Sequence, residues 1–249
     1  MMTLRTPMFV ASVLVASTAL PGLGQDMPRP ISMSASCSPQ VAASSGDLPK
    51  IVGGQGSEAR TLFGNRESVI IDAGTNRGLQ AGQKFYIRRA VVNGYEKKFG
   101  RHASVTAGWL SITAVDDKTA VGRIDFACDG VQQGDYLEPF AAPALPADAN
   151  RTNSAGDLDF STPGHVLFGD YGRLTGGLGD FMLADIGQDQ GATPGARYAV
   201  YRDLGSDGVP LTAVGEAILI SVGEKESLFR LTQAKDAVTS GDLLIPRKK

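Results

Sequence analysis

One feature governs what this chain can fold into: its second half repeats its first. At an offset of 113 residues, Asp72, Gly74, Gly78 and Gly82 meet Asp185, Gly187, Gly191 and Gly195. Phe85, Ile87 and Arg89 meet Tyr198, Val200 and Arg202 in the same register. After a six-residue difference the offset becomes 107. Gly108, Val115, Lys118 and Arg123 then meet Gly215, Val222, Lys225 and Arg230, and Gly134-Asp135 meets Gly241-Asp242. So many glycines kept in register across one gap mark an internal duplication.

The local signals in both copies are β. Residues 68–72 are a short β-branched run ending near Gly74. Residues 78–82 form a glycine-bounded turn, which a residue without Cβ allows. Residues 84–89 and 108–115 alternate apolar and polar side chains, as half-buried strands do. Asp116-Asp117-Lys118 reads as a hairpin turn, and Gly134-Asp135 precedes a last short strand, with Asp135 and Asp242 bonding nearby backbone. Asn93-Gly94 suggests a hairpin tip in copy one, matched by residues 203–208 in copy two. The expected fold is all-β: two tandem modules of five or six strands, each closed into a small barrel that hides its strand edges.

Residues 1–24 read as a signal peptide, with Arg5, an apolar run from Phe9 to Leu20, and small residues at Gly22 and Gly24. The run is shorter than the about 20 residues a spanning helix needs. The expectation is an exported, periplasmic or extracellular protein with no membrane span after cleavage. Residues 25–48, rich in Ser, Pro and Ala, read as a disordered leader. Module one then covers 49–140, a linker 141–162, and module two 163–247. Cys37 and Cys128 can pair in an oxidising compartment; lipidation of Cys37 is the rival reading. The net charge is −2 with no basic block, which argues against a nucleic-acid partner.

The pattern Asp72-x-Gly74-x-x-x-Gly78-x-x-x-Gly82, an alternating strand, then Gly-Asp before a final strand resembles a recurring bacterial envelope module. It is similar to the SH3-like C-terminal domain of flagellar assembly protein T, and to small barrels that accompany LysM peptidoglycan-binding domains. The resemblance spans roughly 49–140 and 163–247. It implies an envelope scaffold or binding module and supplies no catalytic residues.

The chemistry of the residues points the same way. His102 and His165 are the two histidines, and neither lies in a nucleophile signature. The repeat places Lys235 opposite Cys128, which suits a structural sulfur better than a catalytic one. Metal-ligand spacings are missing. Residues 203–208 resemble a calcium loop only faintly and read better as a polar hairpin tip. No cofactor is expected. The glycines 74–82 do not open a helix, so they serve turns rather than phosphate. Trp109, the sole tryptophan, offers a large contact area; with Tyr86 and Tyr95 it forms the expected contact surface. The leading expectation is a non-enzymatic module binding an envelope protein or a cell-wall polymer. The alternatives are a peptidoglycan or polysaccharide binder and, more remotely, an unrecognised hydrolase.

Overall fold

A computed structural model describes residues 31–41, 47–56, 59–91 and 103–248. The signal-peptide segment, the Asn93-Gly94 tip, Tyr95 and His102 lie outside the described residues.

Among the described residues the fold is all-β, with one short α-helix, α1 (Ile31–Ser36), and three single-turn 3-10 helices. A two-residue strand β1 (Gln40–Val41) follows it. Module one contains β2 (Ile51–Gly54), β3 (Leu62–Phe63), β4 (Ser68–Ile71), β5 (Lys84–Val91), β6 (Ala103–Val115), β7 (Ala120–Ala127), β8 (Val131–Gln132) and β9 (Tyr136–Pro139). Strand β10 (Asp157–Leu158) precedes module two. That module contains β11 (Gly164–Gly169), β12 (Thr175–Gly176), β13 (Phe181–Ala184), β14 (Arg197–Arg202), β15 (Thr212–Val222), β16 (Ser227–Ala234), β17 (Val238–Thr239) and β18 (Leu243–Lys248).

The two modules share one topology. Module one orders its main sheet β2-β4-β7-β6-β5-β9, and module two orders its equivalents β11-β13-β16-β15-β14-β18. The small pairs β3–β8 and β12–β17 correspond as well. In module two, β18 pairs with both β14 and β11, so the barrel closes. In module one the seam between β2 and β9 is a single bridge, Lys50 to Tyr136, plus backbone bonds such as Ile51 N–H to Asp135 C=O at 2.9 Å. Module two is the closed barrel expected from the sequence, whereas module one is a curled sheet with a lightly stitched seam.

Register confirms the repeat beyond the aligned glycines. Phe85 pairs with Pro139 and Tyr198 with Pro246, while Trp109 pairs with Phe126 and Glu216 with Gln233. The duplication also extends upstream with a two-residue slip. Ile51 and Val166 both donate to the carbonyl of the turn aspartate, Asp135 or Asp242.

The glycine expectations separate into two physical roles. Gly78, Gly82, Gly134 and their twins Gly191, Gly195 and Gly241 all take positive φ between 77° and 95°, where a Cβ is strained. Gly74 and Gly187 are extended instead. A Cβ on them would stand 2.2 Å and 2.1 Å from the backbone oxygens of Asp116 and Glu224. They are there for close approach, not for turning.

The two cores have the same outline and different fillings. At the centre of module one, a Cβ on Gly122 would press on Leu110 at 3.0 Å and Ile71 at 3.1 Å. Their twins in module two are Phe229, Ala217 and Ala184, all buried in one cluster. A second exchange sets Phe63 and Val69 against Gly176 and Met182. Close packing demands that each added ring be matched by a removed branch.

The leader differs from expectation. Residues 31–41 form α1 and β1, and β1 pairs with β6 through Gln40–Ser104 and Val41–Ala103. Cys37 is bonded to Cys128, with an S–S distance of 2.02 Å, which replaces lipidation as the reading of Cys37. Composition judges a segment by its own apolar content, but this one is ordered by partners elsewhere in the chain. The linker is similarly held. Asp157 and Leu158 pair with Lys248 and Arg247 of β18, and Ala149 is buried. Asp159 contacts Lys248 Nζ at 2.8 Å, and that ammonium with Ser161 holds its carboxyl down to about 2.

Candidate functional site

An arginine–aspartate clamp fixes the last turn of each module. Arg89 grips Asp135 through Nε at 2.7 Å and Nη2 at 2.8 Å. Arg202 grips Asp242 the same way, at 2.9 Å and 2.8 Å. Each aspartate also accepts a backbone N–H, from Gln132 or Thr239, at 2.7 Å. Each arginine reaches a carbonyl as well, Gly130 or Ala237. A planar guanidinium facing a carboxylate makes such two-point pairs. The hydrogen bonds that Arg89 donates to Asp135 push its pKa up, and those that Arg202 donates to Asp242 do the same. The aspartates were legible as turn residues; their arginine partners, though aligned by the repeat, were not recognised as such.

Outside the barrels the modules part. On module one, Trp109 stacks on Phe126 with ring centroids 4.8 Å apart, and Phe140 lies 5.6 Å from Trp109 and 4.5 Å from Tyr86. Trp109, Phe126 and Phe140 are half-buried and form a continuous aromatic face. Tyr86, expected at the surface, is 3% exposed, and its hydroxyl donates to the Ala141 carbonyl at 3.0 Å. The chain running out of β9 covers it, something strand alternation alone does not reveal. On module two, the twins of Trp109 and Phe140 are Glu216 and Arg247. They form an ion pair at 2.6 Å with side chains only 12% and 11% exposed.

Beside the aromatic face lies Arg88, 1% exposed and among the largest fully buried side chains. Its guanidinium sits 4.2 Å above the Tyr86 ring and bonds the Thr106 hydroxyl. Glu138 approaches Nε at 3.3 Å, yet that nitrogen makes no hydrogen bond. Burial pulls the Arg88 pKa down, and Glu138 opposes the shift. Thr106 donates to the Ser38 carbonyl of the leader at 2.7 Å. The lid over this arginine is therefore residues 36–40. The twins of Arg88, Thr106 and Glu138 are Tyr201, Ala213 and Ile245, and Tyr201 is met by Phe160 with rings 5.5 Å apart.

Module two turns an apolar outer face toward the leader. Phe181, Leu183, Ile218, Ile220 and Leu228 form one buried cluster with Ala35, and Ile31 packs against it. Their module-one twins include Ser68, Ser111 and Thr113. The signal was present in the sequence, as apolar residues at positions the first copy keeps polar. The modules also touch directly, the Tyr171 hydroxyl lying 3.4 Å from the Cys128 carbonyl.

His165 lies 3.0 Å from Asp185, with both side chains substantially exposed. Asp185 also accepts the backbone N–H of His165, and Asp72 accepts that of Lys50 in the other module. The repeat thus explains Asp185 as a strand-entry lock. In the 203–208 turn, Asp203 accepts the Gly205 N–H at 2.8 Å, the bond of a polar hairpin tip. Among the described residues, no three His, Cys, Asp or Glu side chains gather as a metal ion would require.

No protein-family model matches the chain, and no curated protein matches it.

Proposed function

We propose that this is a non-enzymatic, exported envelope or secreted protein that binds a protein or polymer partner in a scaffolding role. The observation that carries the reading is the unequal dressing of two like barrels. Module one keeps an aromatic face of Trp109, Phe126 and Phe140, while module two carries an ion pair at the twin site. Half-buried aromatics offer rigid, low-entropy contact area. The resemblance to envelope barrels agrees with this, and no helix among the described residues is long and apolar enough to cross a membrane.

Capture from an envelope fraction tests the reading. The full chain should retain a defined partner that the Trp109→Ala variant releases and the Glu216→Ala variant keeps. A null capture together with measurable hydrolase activity would reverse it. A second reading, binding to peptidoglycan or polysaccharide, rests on the same aromatic face, since flat rings stack on sugars. Co-sedimentation with isolated sacculi tests it, and binding that survives Trp109→Ala counts against it.

A further inference from the structure

The leader touches both modules but is fastened covalently at one point. Its helix has six residues, far below the length at which a helix holds itself. Its strand contributes two residue pairs to β6. The Thr106 hydroxyl bonds the Ser38 carbonyl at 2.7 Å, and Ser104 reaches the Gln40 carbonyl at 3.4 Å. Beyond Gln40 the fit is loose: a cavity of about 340 Å³ separates it from Leu183, Val222 and Leu228 of module two. Ala35 adds apolar burial against module two, with Ile31 beside it, but one small side chain and a few hydrogen bonds do not offset the entropy of ordering eleven residues. The Cys37–Cys128 bond supplies the difference by closing a loop across 91 residues. Both cysteines are half-buried rather than enclosed, and exchange requires access to only one sulfur of the pair.

We propose that residues 31–41 are a thiol-releasable strap, a segment that covers module one's Arg88 side and module two's apolar face until Cys37–Cys128 is reduced. The reductant is a dithiol of the thiol–disulfide exchange class. One of its thiolates attacks a sulfur of the pair and forms a mixed disulfide; its second thiolate resolves that bond. Cys37 and Cys128 each end with one proton, the reductant ends as a disulfide, and two electrons have passed. Release withdraws the Ser38 carbonyl from Thr106 and uncovers the β6 edge at Ser104. It also lifts Ala35 from Leu183, Ile218 and Leu228. The barrels stay shut, because their clamps and ladders lie elsewhere.

Hydrogen exchange read by mass spectrometry on the full chain, with and without dithiothreitol, tests this. The expected result is at least tenfold faster exchange over residues 37–41 and 103–106 on reduction, with β13–β16 and β5–β9 ladders unchanged. The Cys37→Ser/Cys128→Ser variant should show the same pattern without reductant, and a β-sheet circular dichroism signal equal to that of the parent. Unchanged protection of the leader after complete reduction would overturn the proposal. So would loss of protection throughout either barrel, because the bond would then support the fold rather than fasten a strap.

Discussion

At the centre of module one, Ile71 and Leu110 close over Gly122; at the centre of module two, Ala184 and Ala217 leave room for Phe229. At the surface, Trp109 and Phe140 stand where Glu216 and Arg247 pair. The first difference is compensated within each module and leaves the backbone register intact. The second is matched too, a ring contact exchanged for an ion pair, but it gives each module a different exterior. Interiors can change only in matched sets, because the surrounding packing leaves no slack. Exterior pairs are freer to exchange one chemistry for another and so record what each copy came to face.

The largest expected effect breaks the internal compensation. Phe229→Gly should cost about 5 kcal/mol, the upper range for emptying a buried aromatic site. Adding Ala184→Ile and Ala217→Leu to that variant should restore most of the loss in urea titration. No recovery would mean that the two fillings are not interchangeable.

The clamps come next. Asp135→Ala and Asp242→Ala should each cost about 3–5 kcal/mol, since each removes two charge-assisted bonds to the guanidinium and leaves the backbone N–H of Gln132 or Thr239 without its acceptor. Equal losses on denaturation would confirm the clamps as equivalent; a one-sided loss would show that one barrel depends on its last turn less.

The third test concerns the contact between modules. Asp170 precedes Tyr171 on the turn that meets β6. One of its carboxylate oxygens is buried without a partner. Burial raises its pKa to about 6; Arg173 opposes the shift and Asp180 adds to it. The folded state therefore holds a proton that the unfolded chain releases near pH 4. Stability should fall as pH rises from about 4 through 6 and then level off, a loss of about 3 kcal/mol at one pKa unit per 1.4 kcal/mol. Asp170→Asn should erase that slope and raise the melting temperature at pH 7. An unchanged slope would place the titration elsewhere.

The smallest effect is Glu216→Ala. It should cost about 1–2 kcal/mol, because Arg247 loses its two bonds to the carboxylate but keeps the Gly156 carbonyl, read as a modest melting shift. A loss as large as a clamp's would mean that this exterior pair is part of the barrel's support.

Much of the fold was legible because its cause is local. Gly78 and Gly82 need positive φ, residues 84–89 alternate, and the repeat multiplies each signal by two. The strand-entry aspartates Asp72 and Asp185 were visible in the alignment for the same reason. The site was legible only in part. Trp109 was singled out by its rarity, and it does lie on a half-exposed aromatic face. Tyr86 was misplaced because its cover arrives from residues beyond β9. Arg88 went unnoticed because a charged residue in an alternating strand looks solvated unless its lid is known. That lid, the leader, has no periodicity of its own. Its order comes from a bond to a cysteine far along the chain, and no local pattern encodes that.

The seam of module one has a mechanical consequence. Lys50 and Tyr136 face each other antiparallel at the point where the chain enters and leaves that module; Gly164 and Leu244 do the same in module two. With Cys37–Cys128 intact, a pull from the N-terminal side passes from one cysteine to the other and bypasses the seam of module one; once the bond is reduced, tension at these neighbouring ends loads each seam like a zipper, rung by rung. With fewer ladder pairs across its seam, the reduced first module gives way under the lighter pull, so a stretched molecule lengthens at its aromatic half while its partner stays folded.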